Sequence, residues 1–450
     1  MSQTTSPGQT TGPNQSGASQ GSASQAASVP TVAGRVEEVR TSLRRSLSGT
    51  PGRLRILAVL AVAVSLIFAI GAYSAFGSAD TALSRGGANA AQLVRIQAIH
   101  TNLVRADADA TNAFLVGGLE PADQRTNYTS SMAQASGLIA EAAKAQPADG
   151  PALGALNTSV LTYAGLIEQA RATNRQALPV GAQYLRVASS GLRSDALPIL
   201  DALVKSNDAR VRAEFDAAAG ASAALITSGV LALLVLIGGM VWLSRRTHRY
   251  VNVPLAGATV AILVTLVVGV IVLSSVSSRV GTVRDGSYAA TLATAKARIA
   301  AFDAKSNESL TLIARGSGSA FEKTWKSSSR VVFDQSATAA RLSSDAAKMG
   351  GLWTKYADTH AKIRTADDGG QWDGAVKQAI GSDPTSANVT FNAFDANSGA
   401  ALTSSSRDVT DSLDAPRTWL LLVGWLGLLV GIAAAVSAWW GVSLRLEEYR

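Results

Sequence analysis

Four long uncharged apolar runs, at 56–76, 221–243, 253–277 and 418–442, constrain this chain more than any other feature. Each is long enough for a helix to cross a hydrocarbon core of about 30 Å, which takes about 20 residues. Four spans place the two long polar segments, 77–220 and 278–417, on one side of a membrane. The first 55 residues, the short piece at 244–252 and the end at 443–450 then lie on the other side. The first run is too long, and begins too far into the chain, for a cleavable export signal, whose apolar stretch is about 7–15 residues. It reads as an anchor that stays.

Charge sets the expected orientation. Arg35, Arg40, Arg44, Arg45, Arg53 and Arg55 against Glu37 and Glu38 leave four positive charges before the first run. Arg245, Arg246 and Arg249 add three, and Arg445 and Arg450 cancel Glu447 and Glu448. Of the chain's net +8, only one charge is left for the two large polar segments together. By the positive-inside rule both termini and the 244–252 loop are cytoplasmic, and the chain is a multi-pass protein of the cell membrane. Trp242, Trp439 and Trp440 at inner span ends, with Tyr73 and Trp419 at outer ends, suit the interfacial layer that tryptophan and tyrosine prefer. The sequence pI of about 9.8 is therefore a topology signal. It is not the footprint of a basic nucleic-acid domain, and no nucleic-acid partner is expected.

Residues 1–33 are mostly Ser, Gln, Thr, Gly, Ala and Pro with no charged side chain, a composition too poor in apolar surface to fold, and they read as a disordered tail. Over 34–55 Val36, Val39, Leu43 and Leu47 recur at steps of three and four with arginines between them. That pattern is a basic amphipathic helix suited to an anionic membrane surface or to a protein partner.

The first polar segment is alanine-rich and cut by turn residues at 117–121, 146–151 and 178–179. Proline lacks an amide donor and glycine is entropically loose, so these points end helices. The breaks predict helices near 80–116, 121–145, 151–177 and 180–219, the first and last continuous with the adjoining spans. Four antiparallel helices so connected make an up-down bundle. The second segment repeats the pattern. A shift of 198 lays Phe114 on Leu312 and Gly118 on Gly316, and a shift of 193 lays Tyr163 on Tyr356, Arg171 on Arg364 and Gly181 on Gly374. The expected fold is an all-α membrane protein in which four transmembrane helices carry two extracytoplasmic four-helix bundles, A at 77–220 and B at 278–417, related by tandem duplication.

No phosphate-loop, H-E-x-x-H or G-x-S-x-G pattern occurs, and Arg315-Gly-Ser-Gly-Ser319 lacks the lysine and the preceding strand that a phosphate loop needs. There is no cysteine, and His100, His248 and His360 are far apart, so no metal, cofactor or catalytic residue is expected. Two polar features stand out. Positions 93, 96, 100, 103, 107, 110 and 114 share one helical seam in which His100 and Asp107 interrupt an apolar stripe. They read as a buried polar pair, either setting helix register or sensing a ligand or proton. The second feature is the outer tips, where an up-down bundle brings the first and third turns together. Glu120, Tyr163, Arg171, Asn174, Arg175 and Tyr184 fall there in bundle A; Trp353, Tyr356, Arg364, Asp367, Asp368 and Trp372 fall there in bundle B. They are candidates for partner or ligand binding, against the plainer reading of well-capped turns. In the last span Gly427 and Gly431 have the G-x-x-x-G spacing that permits close helix contact.

Ala106-Asp-Ala-Asp-Ala-Thr-Asn-Ala-Phe-Leu-Val-Gly-Gly-Leu-Glu-Pro121, Asn174-Arg-Gln-Ala-Leu-Pro-Val-Gly-Ala-Gln-Tyr-Leu185, Arg245-Arg-Thr-His-Arg249, Asp367-Asp-Gly-Gly-Gln-Trp-Asp-Gly374 and Arg445-Leu-Glu-Glu-Tyr-Arg450 resemble motifs of actinobacterial sensor-like membrane proteins of the GlnX type. The resemblance covers nearly all the chain beyond about residue 50. It implies a non-enzymatic transducer that contacts an extracytoplasmic solute-binding lipoprotein loaded with an amino acid such as glutamate, aspartate or glutamine. It further implies a cytoplasmic Ser/Thr protein kinase of the PknG kind as receiver. Arg245, Arg246, Arg249, Arg445 and Arg450 are the expected output residues. An accessory subunit of an amino-acid transporter and a passive envelope scaffold are the alternatives, although the spans lack the charges that line a transport pathway. A homodimer stays open, since the duplication would supply similar symmetry within one chain.

Overall fold

The computed structural model describes residues 50–116, 120–247 and 252–447. The expected disordered tail, most of the amphipathic segment, the 117–119 part of the first tip turn, Arg249 and Arg450 lie outside the described residues, as do the side chains of Arg246 and Arg445. The described residues form helices and turns, with no strand among them.

Helix α1 (Thr50–Val116) runs unbroken from the first apolar run to the tip of bundle A. Its 67 residues correspond to about 100 Å at 1.5 Å per residue. Bundle A continues with α2 (Ala122–Ala145), α3 (Gly150–Arg175), α4 (Val180–Gly191) and α5 (Leu197–Gly220), and α6 (Ser222–Thr247) is the second span. Pro121, Pro147, Pro151 and Pro179 stand at the helix starts, as the breaks in the sequence predict. Between α4 and α5 lies a π turn, Leu192–Ala196, which the sequence reading did not foresee. It ends two residues before Pro198, whose missing N–H and ring do not fit a regular helical turn.

The second half follows the same order. Helix α7 (Val253–Val283) passes through a π turn, Arg284–Tyr288, into α8 (Ala289–Ile313). Then come α9 (Ser319–Leu342), α10 (Met349–Asp368), the short α11 (Trp372–Ile380), α12 (Ala387–Asp414) and the last span, α13 (Arg417–Glu447). Four rods result: Gly52–Val116, Val180–Arg245, Val253–Ile313 and Ala387–Leu444, each with a stretch long and apolar enough to cross a membrane.

The spans pack as a ring in the order α1, α6, α7, α13. Helix α13 lies antiparallel on α1, with Gly427 facing Ala72 and Gly431 facing Ala69. At the end of the ring away from the bundles, Asn252 caps α7 by accepting from the Leu255 amide and donates to the Gly441 carbonyl at 2.7 Å. Asn252 thereby ties the start of α7 to the last span.

Each bundle has an apolar interior: Ile96, Leu103, Leu156, Ile167 and Leu200 in A, and an aromatic cluster of Trp353, Tyr356, Phe391 and Phe394 in B. The two interiors are not separate. Helices α1 and α8 pack on each other. Val104, Ala108 and Leu115 of α1 join the core of B, and Leu310 of α8 joins the core of A. Every residue of α8 from Ala304 to Leu312 is buried, five consecutive polar ones, Lys305 to Ser309, included.

Candidate functional site

The shared helices meet at a polar seam centred on Asp107. Its side chain is 1% exposed. It accepts hydrogen bonds from Ser189 Oγ at 2.5 Å, from Ser306 Oγ at 2.6 Å and from the Tyr163 hydroxyl at 3.4 Å. Ser189 and Tyr163 belong to bundle A and Ser306 to bundle B. Arg193, on the π turn of bundle A, lies 3.2 Å from Asp107, reaches Asp303 of bundle B at 3.0 Å and donates to Ser306 Oγ at 3.1 Å. A second link joins Arg105 of α1 to both oxygens of Asp395 on α12 at 2.8 Å, and Arg298 of α8 also donates to Asp395 at 2.7 Å. A carboxylate this deeply buried is tolerated only when paired, and removing its partner costs about 3–5 kcal/mol.

His100 and Asp107 do not pair with each other. Seven residues separate them, about 10 Å along a helix axis. His100 Nδ1 has no hydrogen-bond partner and lies 3.9 Å from the exposed Asp201. Burial lowers its pKa to about 4, only partly opposed by the charges of Asp201 and Asp303.

At the tip of bundle A, Arg171 donates to Glu120 and to Glu168 at 2.8 Å each and covers the Tyr128 ring at 4.1 Å. Arg125 approaches Glu120 and Glu168 from the other side, at 3.7 and 3.4 Å. A cavity of about 220 Å³ opens here, lined by Phe114, Glu120, Arg125, Arg171, Asn174 and Arg175 among others. At the tip of bundle B, Arg364 pairs with Asp367 at 2.5 Å and with Asp368, and stands 3.7 Å from Glu322. Trp372 donates from Nε1 to the Leu312 carbonyl at 2.9 Å and is stacked by Arg315 at 4.0 Å.

The third helix of each bundle ends alike. Leu178 N–H bonds to the Thr173 carbonyl and Ala177 N–H to that of Asn174; Gln371 bonds to Ala366 and Gly370 to Asp367. Both are Schellman closures, whose penultimate residue must be left-handed. Ala177 has φ 55° and Gly370 φ 75°. Glycine accepts that conformation freely, and alanine does not.

Three of the residues expected at the tips are instead in the cores. Tyr163, Trp353 and Tyr356 are 2%, 0% and 0% exposed. They share the inward stripe of their helices with Val160 and Ile167, or with Met349 and Ile363. Aromatic rings on such a stripe fill the bundle rather than meet a partner. Tyr184 is half-buried against the core of A. Glu120, Arg171, Asn174 and Arg175 are brought together around the cavity, and Arg364, Asp367 and Asp368 around one another. Arg245 is exposed at the far end of α6.

One cluster escaped the sequence reading. Glu308, 1% exposed inside bundle B, accepts from Lys305 at 2.8 Å and from the Tyr356 hydroxyl at 3.1 Å, and contacts His360 Nδ1 at 2.9 Å. His360 Nε2 meets Glu322 at 3.1 Å, and Trp325 stacks on the imidazole at 3.6 Å. Burial would raise the Glu308 pKa, but the charges and hydrogen bonds of Lys305 and His360 outweigh it and hold the group at about 2. His360 is raised: its bonds to Glu308 and Glu322 overcome the opposing effect of burial. The signal in the sequence is the unbroken run of five polar residues at 305–309 in an alanine-rich helix.

The fold defines a helical protein with four candidate membrane spans and two fused polar bundles. Residues 82–216, bundle A without its spans, match the family model described as an actinobacterial sensor domain. That match supports a sensor-like protein with a sensing or signalling role. No curated protein matches the chain, and no solved structure does.

Proposed function

We propose that the protein is a non-enzymatic transmembrane signal transducer, with both bundles extracytoplasmic and both termini in the cytoplasm. The observation that carries this reading is the continuity of the four rods, from the tips or the seam of the bundles through the spans. A tip event that changes how α1 packs on α8 is thereby coupled to the far ends of the spans. An input shifts such an equilibrium only by its differential affinity for the two packings. The sensor-domain match over bundle A supports the same reading. The resemblance to GlnX-type proteins extends it: the input is an amino-acid-loaded solute-binding lipoprotein, and the receiver is a cytoplasmic Ser/Thr protein kinase that engages the basic ends around Arg245 and Arg445. Duplication of one sensing unit accounts for the matched pairs Tyr163 and Tyr356, Arg171 and Arg364, and Ala177 and Gly370.

The chain has no cysteine of its own, so single cysteines can report docking. Gln176 and Gln371 are exposed in the third turns of A and B. Gln176→Cys and Gln371→Cys variants in native membranes are expected to crosslink to the lipoprotein, with a yield that changes when glutamate, aspartate or glutamine is added. Absence of any crosslink in either condition would overturn docking at the tips.

A further inference from the structure

Between the two bundles, on the opposite side of α1 from Asp107, lies a polar cleft of about 360 Å³. Its walls come from α1 and α2 of bundle A and from α8 and α12 of bundle B. Three acceptors on these walls have no hydrogen-bond partner: Asp109 Oδ2, Asn112 Oδ1 and Gln124 Oε1. Asn112 is 7% exposed, and its amide nitrogen is already used, donating to Asn388 at 3.3 Å. Asp109 has no ion-pair partner among the described residues. Buried acceptors are ordinarily satisfied, and three unpartnered ones lining a single cleft mark it as a place for a donor-bearing ligand.

The cations nearby are engaged elsewhere. Lys305 is turned to Glu308 at 2.8 Å and to the Ala379 carbonyl at 3.4 Å, and Arg105 is held by Asp395. Arg105 Nε is an unpartnered donor on the same wall. No group of three or more His, Asp and Glu suited to a metal ion occurs among the described residues. A small organic ammonium ion offers both the N–H donors and the positive charge that these acceptors suit.

We infer that this inter-bundle cleft is a binding site for a small organic ammonium ion, its N–H groups meeting Asp109, Asn112 and Gln124. Arg105 Nε leaves a place for one acceptor on the same ligand, a hydroxyl or a carboxylate. Three of the four helices forming the walls, α1, α8 and α12, belong to the rods that enter the membrane, so occupancy bears on how the two bundles sit together. The site is distinct from the tips, and its test does not depend on tip docking.

The electrostatics agree. Burial pushes the Asp109 carboxyl up to about 7, Asp395 adds to the rise, and Arg105 and Lys305 oppose it without cancelling it. Asp123 on α2 is the remaining charged group lining the cleft. An ammonium ion favours the ionised carboxylate, so affinity rises with pH through about 7.

The test uses the full chain in lipid nanodiscs with ethanolamine and β-alanine as probes and ethylene glycol as the neutral control, read by calorimetry. Saturable binding of at least one amine and none of the glycol is expected, stronger at pH 8 than at pH 6. Asp109→Asn is expected to weaken it at least tenfold. Gln124→Ala, on the half-exposed α2 wall where the fold tolerates change, is expected to weaken it several-fold. No amine binding above that of ethylene glycol, or binding that survives unchanged in both variants, overturns the assignment.

Discussion

His100 is a polar side chain whose consequence depends wholly on what surrounds it. The sequence marks it, with Asp107, as an interruption of an apolar stripe. It does not reveal that Asp107 finds four partners, on α3, α4, the π turn and α8, while His100 Nδ1 finds none. Partners from distant segments leave no local pattern, so this half of the site was illegible before the fold was known. The difference is measurable. The folded His100 has a pKa of about 4, against 6.5 for the free imidazole. Between those values the unfolded chain takes up a proton that the folded chain refuses, so stability falls as pH drops through that window. Full loss is on the order of 3 kcal/mol. His360 is raised, so its contribution is complete below 6.5 and is lost only as pH rises through its folded value. Asp109, raised to about 7, acts against His100 between pH 7 and 3.8, where the folded state holds the extra proton. Comparison with a variant removes these other terms. His100→Leu is expected to lose less stability than the unmutated chain on going from pH 7 to pH 4.5, by about 2 kcal/mol or more in thermal unfolding. Equal losses in the two proteins would show that the folded imidazole titrates normally.

At the scale of elements, legibility followed composition. The apolar runs and the Pro and Gly breaks placed the rods and turns because length, charge and missing donors are local properties. Which helix each face meets is not local, and so Tyr163, Trp353 and Tyr356 were expected at the tips and lie in the cores. The π turns were invisible as well: the one at Leu192–Ala196 lies beside Pro198, and nothing in the local sequence marks the one at Arg284–Tyr288. The G-x-x-x-G pair is an element-scale pattern whose partner the structure supplies. A Cβ on Gly431 would stand 2.5 Å from Ala69 Cβ and 2.7 Å from Ala69 Cα, so α13 and α1 must separate to admit it. Overpacking of this kind costs about 1–3 kcal/mol. Gly238 in α6 is the control, because a Cβ there meets nothing within 4 Å. Gly431→Ala is expected to lower the thermal midpoint in detergent or nanodiscs, and Gly238→Ala to leave it unchanged or raise it. A Gly431→Ala variant as stable as the Gly238→Ala variant would mean that these two spans are not in close contact.

At the scale of the whole molecule, the arrangement turns on whether the bundles behave as one body. Two bundles in series could each respond alone, and nothing in the sequence distinguishes that case from fusion. In the structure Arg193 joins them. It stands on bundle A yet lies within 3.2 Å of Asp107 and 3.0 Å of Asp303, the latter on bundle B. Arg193→Ala leaves a carboxylate that is 1% exposed without its cation, a loss of about 3–5 kcal/mol. Arg193→Lys is not a conservative repair, because a single ammonium lacks the planar fork that serves both carboxylates and Ser306 at once. Hydrogen exchange locates the effect. If the bundles are one body, Arg193→Ala lowers protection in α4 and α5, where the change lies, and also in α8 around Asp303–Ser306 and along α7 below it. If protection falls in bundle A alone, the seam does not couple the halves, and a signal received at one tip would travel only through the rods of its own bundle.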